Sequence, residues 1–148
     1  MFIMLWTPAL YYYLINQPSL VARTCLRGLH FPYIWIFAVV VHGRIIKGPK
    51  DSYAVTGNTA QFYCEIDFGN RLHVMSWQFN EKDIFNYFDG YIEYPVGKAK
   101  YNVTVSSEED KFILFVNDLT LEDGGKYTCT VITELKSADL LVYGKSII

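Results

Sequence analysis

One run of seven residues, Asp123-Gly124-Gly125-Lys126-Tyr127-Thr128-Cys129, constrains this chain more than any other stretch. It reads Asp-x-Gly-x-Tyr-x-Cys, a turn feeding a strand on which Tyr127, Cys129 and Val131 share one side. Cys64 stands 65 residues before Cys129, and Trp77 follows Cys64 by 13. Cys64 lies in the cleanest alternation of the chain. Ala60, Phe62, Cys64, Ile66 and Phe68 point one way, and Gln61, Tyr63, Glu65 and Asp67 the other. Period two marks a strand with one buried face. Met75, Trp77 and Phe79 alternate with Ser76 and Gln78 in the same manner.

The rest of the body also reads as short strands. Arg44–Asp51 is a polar lead-in broken by Gly48-Pro49, and Tyr53–Val55 is a first strand. Gly69-Asn70-Arg71 is a loop and Asn80-Glu81-Lys82 a turn. Ile84–Phe88, Gly90–Tyr94, Lys100–Val105 and about Lys126–Ile132 are strands. Ser106–Asp110 is an acidic turn, and Phe112, Leu114, Val116 and Leu119 form an apolar stretch leading to the Asp123 turn. Thr133–Ser137 is a loop and Ala138–Tyr143 the last strand. The expectation is an all-β domain without internal repeats.

The order Cys64, Trp77, Asp123, Gly125, Tyr127, Cys129 resembles the signature of immunoglobulin domains. The resemblance implies a two-sheet antiparallel sandwich. It pairs Cys64 with Cys129 in a disulfide between the sheets, packs Trp77 on it, and ties the Tyr127 hydroxyl to nearby backbone. The two short strands before Gly97 imply the variable type, which has an extra strand pair. The same pattern places Lys100 against Asp123 at one end of the sandwich.

Composition divides the 148 residues in two. Residues 1–43 hold Arg23 and Arg27 as their only Lys or Arg, and no acid. The other 11 Lys and Arg stand against 15 Asp and Glu, a net charge of −4 for residues 44–148. A mildly acidic body with no basic block argues against a nucleic-acid partner. Residues 1–43 are expected to be a targeting segment: a secretory signal with its apolar core at Phe31–Val41, cleaved near Gly43. A membrane anchor, or an upstream start that goes unused, is the alternative. Residues 44–148 are the folded domain. Of the three cysteines, Cys25 falls in the first segment, which leaves Cys64 and Cys129 in a number that suits an oxidising compartment. An extracellular location follows, at the cell surface or secreted.

A catalytic set is missing from the body. His73 is its one histidine, with no second His or free Cys for a zinc site or a Cys–His dyad. Ser106–Asp110 reads as a polar turn, and its acids lack the spacing of a calcium loop. No enzyme, cofactor, metal or small-molecule substrate is expected. Asn102-Val103-Thr104 is a glycosylation sequon, so Asn102 is expected to carry a glycan. The remaining role is binding, through loops at one end and the outward face of the sheet that holds Trp77 and Cys129. Tyr87, Phe88, Tyr91 and Tyr94 are expected to divide between packing and that surface.

Two stretches resemble the ectodomain of the integrin-associated protein family. Trp77–Gly90 matches its Trp-x-Phe-x-x-x-Asp-Ile followed by Phe-Asp-Gly, and Gly125–Leu135 matches its Gly-x-Tyr-Thr-Cys-x-Val-Thr-Glu-Leu with one residue inserted. The resemblance implies a cell-surface ligand for signal-regulatory protein or integrins, with Asp83, Thr133, Glu134 and Leu135 as contact residues. The chain departs from the family at Thr56, where the family has a further Cys, at Ser76, where a basic residue is common, and at Thr130, where the family has an acid. A generic receptor or adhesion domain pairing with another immunoglobulin domain is the second expectation. Leu141-Val142-Tyr143-Gly144 lacks the Phe-Gly-x-Gly bulge of antibody-like pairing.

Overall fold

A computed structural model describes residues 43–69 and 72–146. All of the expected targeting segment but Gly43, including its Phe31–Val41 signal core, and most of the loop expected at 69–71 lie outside those residues. The described strands are β1 (Arg44–Lys47), β2 (Ser52–Val55), β3 (Ala60–Asp67), β4 (Val74–Phe79) and β5 (Lys82–Phe88). They continue with β6 (Tyr91–Glu93), β7 (Tyr101–Val105), β8 (Lys111–Val116), β9 (Gly125–Val131) and β10 (Glu134–Tyr143). One sheet has the order β1-β3-β8-β7 and the other β2-β10-β9-β4-β5-β6. The all-β domain expected from the alternation forms, and it is the two-sheet sandwich that the immunoglobulin resemblance implies.

The core is the sum of the inward-facing positions. On β3 the burial alternates strictly, with Ala60, Phe62, Cys64 and Ile66 buried. Phe112, Leu114 and Val116 face them from β8. From the second sheet come Met75 and Trp77 on β4 and Tyr127, Cys129 and Val131 on β9. Cys64 and Cys129 are disulfide-bonded, with Cα atoms 6.4 Å apart, and Trp77 sits directly across from Cys129 in the β4–β9 register. The bond therefore joins the two sheets. Tyr127 is held between Phe62 and Phe79, with ring centroids at 4.7 and 4.8 Å, stacking geometry that adds to its area burial.

Turn residues set the pairing. Asn80 and Glu81 both take positive φ, at 46° and 69°, and close the β4–β5 hairpin. Asp89-Gly90 does the same for β5–β6, with φ of 43° and 90°. Two consecutive left-handed residues twist the chain to match flanking antiparallel strands.

Four expectations change. The lead-in at 44–51 contains a strand, β1, which pairs antiparallel with β3. Pro49, with no N–H to give a ladder, then breaks it, and the chain crosses to the other sheet. Gly48 marks the crossing: a Cβ there would meet Lys136 Cβ at 2.7 Å. Because the chain keeps its direction, β2 lands parallel to β10, so the sandwich is not wholly antiparallel. The loop expected at 133–137 is mostly strand. Glu134 pairs with Val131, leaving Ile132 and Thr133 as a two-residue turn. Finally, the strand expected at 90–94 shortens to Tyr91–Glu93, since Tyr94 turns back onto the core.

Candidate recognition surface

The outward face of the six-stranded sheet is built from the residues that alternate with the core. One row crosses five strands and is polar beyond its first member: Leu135 on β10 opposes Thr130 on β9, which opposes Ser76 on β4, then Asn86 on β5 and Glu93 on β6. Asn86 Nδ2 donates to Glu93 Oε2 at 3.1 Å. A second polar row joins Ser137, Thr128, Gln78 and Asp83. Here Thr128 Oγ1 and Ser137 Oγ are 2.8 Å apart, and Gln78 Nε2 donates to Asp83 Oδ1 at 2.8 Å.

Apolar corners flank this polar middle. On one side Val74 opposes Phe88, and Phe88 opposes Tyr91. Phe88 is 40% and Tyr91 68% exposed, and Ile132 and Leu135 add exposed aliphatics at the β9–β10 turn. At the diagonal corner Leu141 opposes Tyr53 and Tyr143 opposes Val55, all four exposed. The aromatic set divides as expected: Tyr87 is buried, Tyr94 packs against the core, and Phe88 and Tyr91 face out.

The residues expected at the contact are placed differently from one another. Leu135 is 65% exposed. Thr133, Glu134 and Asp83 spend their polar groups inside the domain. Thr133 Oγ1 donates to the Gly43 carbonyl at 3.2 Å. Glu134 Oε2 accepts from the Ile45 amide at 2.8 Å, and Lys136 Nζ donates to the Ile45 carbonyl at 3.0 Å. Asp83 is held by Gln78, three strands away from β10. Of the four, Leu135 is the one exposed on this face; Val74 and Ile132, which the sequence reading did not single out, lie on the same face. Their signal is an apolar residue on the polar face of a strand or beside a tight turn.

The other singled-out residues lie at the opposite end or on the other sheet. Lys100 Nζ is 2.6 Å from Asp123 Oδ2, and the Tyr127 hydroxyl donates to the Asp123 carbonyl at 2.9 Å. Gly125 leaves no room for a side chain: a Cβ would meet Asn80 Oδ1 at 2.7 Å. Burial alone would push the Asp123 carboxyl up. Hydrogen bonds from Lys100 and Thr120 outweigh it and hold the group below its ordinary value. Burial pushes the Tyr127 phenol up, and it pushes Tyr63 and Tyr87 to about 12. Asn102 is half-buried on the edge strand β7, with the Tyr94 hydroxyl 3.5 Å from its Oδ1. A shallow concavity of about 220 Å³ beside His73 and Phe68 lies on the four-stranded side. Among the described residues no group of three or more His, Cys, Asp or Glu is placed to hold a metal ion.

The model of the immunoglobulin I-set domain matches residues 43–140. The chain belongs to the immunoglobulin I-set family. Solved structures agree on the fold of this I-set domain. The first immunoglobulin domain of the mouse polymeric immunoglobulin receptor is 19% identical with TM-score 0.57, over 69% of this chain and 96% of that one. Titin domain I10 is 22% identical with TM-score 0.55, over 69% and 99%. The homodimer-forming RIG-5 IG1 domain is 15% identical with TM-score 0.57, over 68% and 97%. The variable-type expectation is corrected to I-set by the family match. The strands that prompted it exist as β5 and β6, but β6 is only three residues, all exposed, and adds an edge rather than core. Among the described residues of this I-set chain, no helix is long and apolar enough to cross a membrane.

Proposed function

We propose that this I-set chain is a non-enzymatic protein-recognition module of the cell surface or extracellular space. Its contact is the apolar corner at Val74, Phe88, Tyr91, Ile132 and Leu135. The observation that carries this is the exposure of two aromatic and two aliphatic side chains on one corner of a sheet whose middle is polar and internally hydrogen-bonded. Exposed aromatics over a rigid scaffold are the usual centre of a protein contact. The inter-sheet disulfide and the Asn102 sequon support an oxidising, extracellular setting, with residues 1–43 as the targeting segment and 44–148 as the domain. The stretches Trp77–Gly90 and Gly125–Leu135, which resemble integrin-associated protein, favour signal-regulatory protein as partner, with integrins next.

Surface binding to the outer domain of signal-regulatory protein tests this, with Tyr91→Ala and Leu135→Ala beside the parent. Each variant is expected to weaken binding by roughly tenfold or more, the effect of truncating a central aromatic or aliphatic anchor. A folded chain that fails to bind at tens of micromolar removes that partner. A screen against other immunoglobulin-domain receptors then decides whether the corner is used at all.

A further inference from the structure

The second apolar corner lies apart from the first and has its own pattern. Tyr53 is 68%, Leu141 51%, Tyr143 54% and Val55 38% exposed, and the four form two directly opposed pairs across β2 and β10. Together they show on the order of 400 Å² of side chain, the size of the largest apolar patch on an ordinary monomer, which is often functional. Along β10 the outward positions run Asp139, Leu141, Tyr143, and the exposed Lys145 follows just past the strand. The strip is therefore acidic at one end, apolar in the middle and basic at the other. Among the described residues neither the Asp139 carboxylate nor the Lys145 ammonium takes part in an ion pair or side-chain hydrogen bond, although exposed Lys126 stands opposite Asp139 in register. Their backbone amides are engaged: Asp139 N–H donates to Asp51 Oδ1, and Lys145 N–H to Thr56 Oγ1.

We propose that this β2–β10 corner binds a second copy of the same chain. A two-fold axis between Leu141 and Tyr143 brings the strips together antiparallel. Leu141 of each copy then faces Tyr143 of the other, and Asp139 faces Lys145 twice. Such self-complementarity is what a two-fold interface requires. The area argues for the strength of the pair. Two patches bury on the order of 800 Å² in total, below the size of a standard stable interface, so the dimer is weak and depends on concentration. The proposal does not rest on the Phe88–Tyr91 corner, which stays open in this arrangement.

Sedimentation equilibrium of the chain purified from expressing cells tests it. The parent is expected to dimerise with a dissociation constant of about 0.1 mM. Leu141→Asp, at an exposed position, is expected to weaken the dimer at least about tenfold with an unchanged unfolding midpoint. Asp139→Lys and Lys145→Asp are each expected to weaken it, because each places like charges together twice. Mixing these two variants is expected to restore association, since each supplies the charge the other lost. A parent that stays monomeric to about 1 mM overturns the proposal. So does a dimer that survives Leu141→Asp, or a mixture no better than its parts. A monomeric chain that instead captures a different protein through this corner also overturns it.

Discussion

At Asp123 three donors converge on one carboxylate oxygen. Lys100 Nζ, the Thr120 amide and the Thr120 hydroxyl reach Oδ2 at 2.6, 2.6 and 3.1 Å. The same residue's carbonyl takes the Tyr127 hydroxyl. Asp123 thus ties the start of β9 to the residue before β7. Because its folded pKa lies below its unfolded value, its contribution is fully present above about pH 4 and is lost as pH falls through the folded value. Asp123→Asn is expected to cost about 1–3 kcal/mol at pH 7, and the gap from the parent should narrow below pH 4. Urea unfolding at pH 7 and pH 3 checks this, and a gap that widens in acid contradicts it. Gly125 acts through space instead. Gly125→Ala pushes a methyl onto Asn80 Oδ1 and Phe79 Cε2, and displaces an amide that accepts from the Lys126 N–H at 2.9 Å. A loss of about 1–3 kcal/mol is expected, read from the shift in urea midpoint. Both residues stand out in the sequence as members of the Asp-x-Gly-x-Tyr-x-Cys run. Their partners Thr120 and Asn80 do not: Thr120 lies only three residues from Asp123, in a short capping turn that the sequence reading passed over, and Asn80 becomes a neighbour of Gly125 only when β4 and β9 are laid side by side.

Strand β1 shows what an element owes to its surroundings. Its four residues read RIIK, and only Ile45 is buried. No alternation long enough to score marks it, so it passes for a lead-in. It is held by pairing with β3 and by two side chains of β10, with Glu134 accepting from the Ile45 amide and Lys136 donating to its carbonyl. Glu134→Ala is expected to speed hydrogen exchange at the Ile45 amide by roughly tenfold or more, while amides in β3 and β9 keep their protection. Unchanged exchange at Ile45 would show that the β3 pairing alone holds the strand. The two-residue turn at Ile132-Thr133 has the same origin. Glu134 and Lys136 alternate toward β1, which extends β10 through a stretch whose polar composition reads as a loop.

The disulfide works at the scale of the whole sandwich. It closes a loop spanning a separation of 65 residues and removes that freedom from the unfolded chain, by roughly 4 kcal/mol. Cys64→Ala is expected to lower the thermal midpoint by 10 °C or more, roughly what that loss implies for a domain near 100 residues. A midpoint within a few degrees of the parent would place the stability in packing alone. The periodicity of Ala60–Phe68 was enough to specify all-β structure, because a strand's two faces are written into alternate residues. The sandwich and its bridge were legible through the resemblance of the Asp123–Cys129 run and the Cys64–Trp77–Cys129 order to immunoglobulin domains. Which strands lie side by side was decided only by the tertiary structure. The parallel β2–β10 edge, the hydrogen bonds that tie Thr133 and Glu134 to β1, and the two apolar corners all come from bringing together strands far apart in sequence. Alternation says that a side chain faces out. It does not say what stands next to it, and for a surface that binds, the neighbours are what matter.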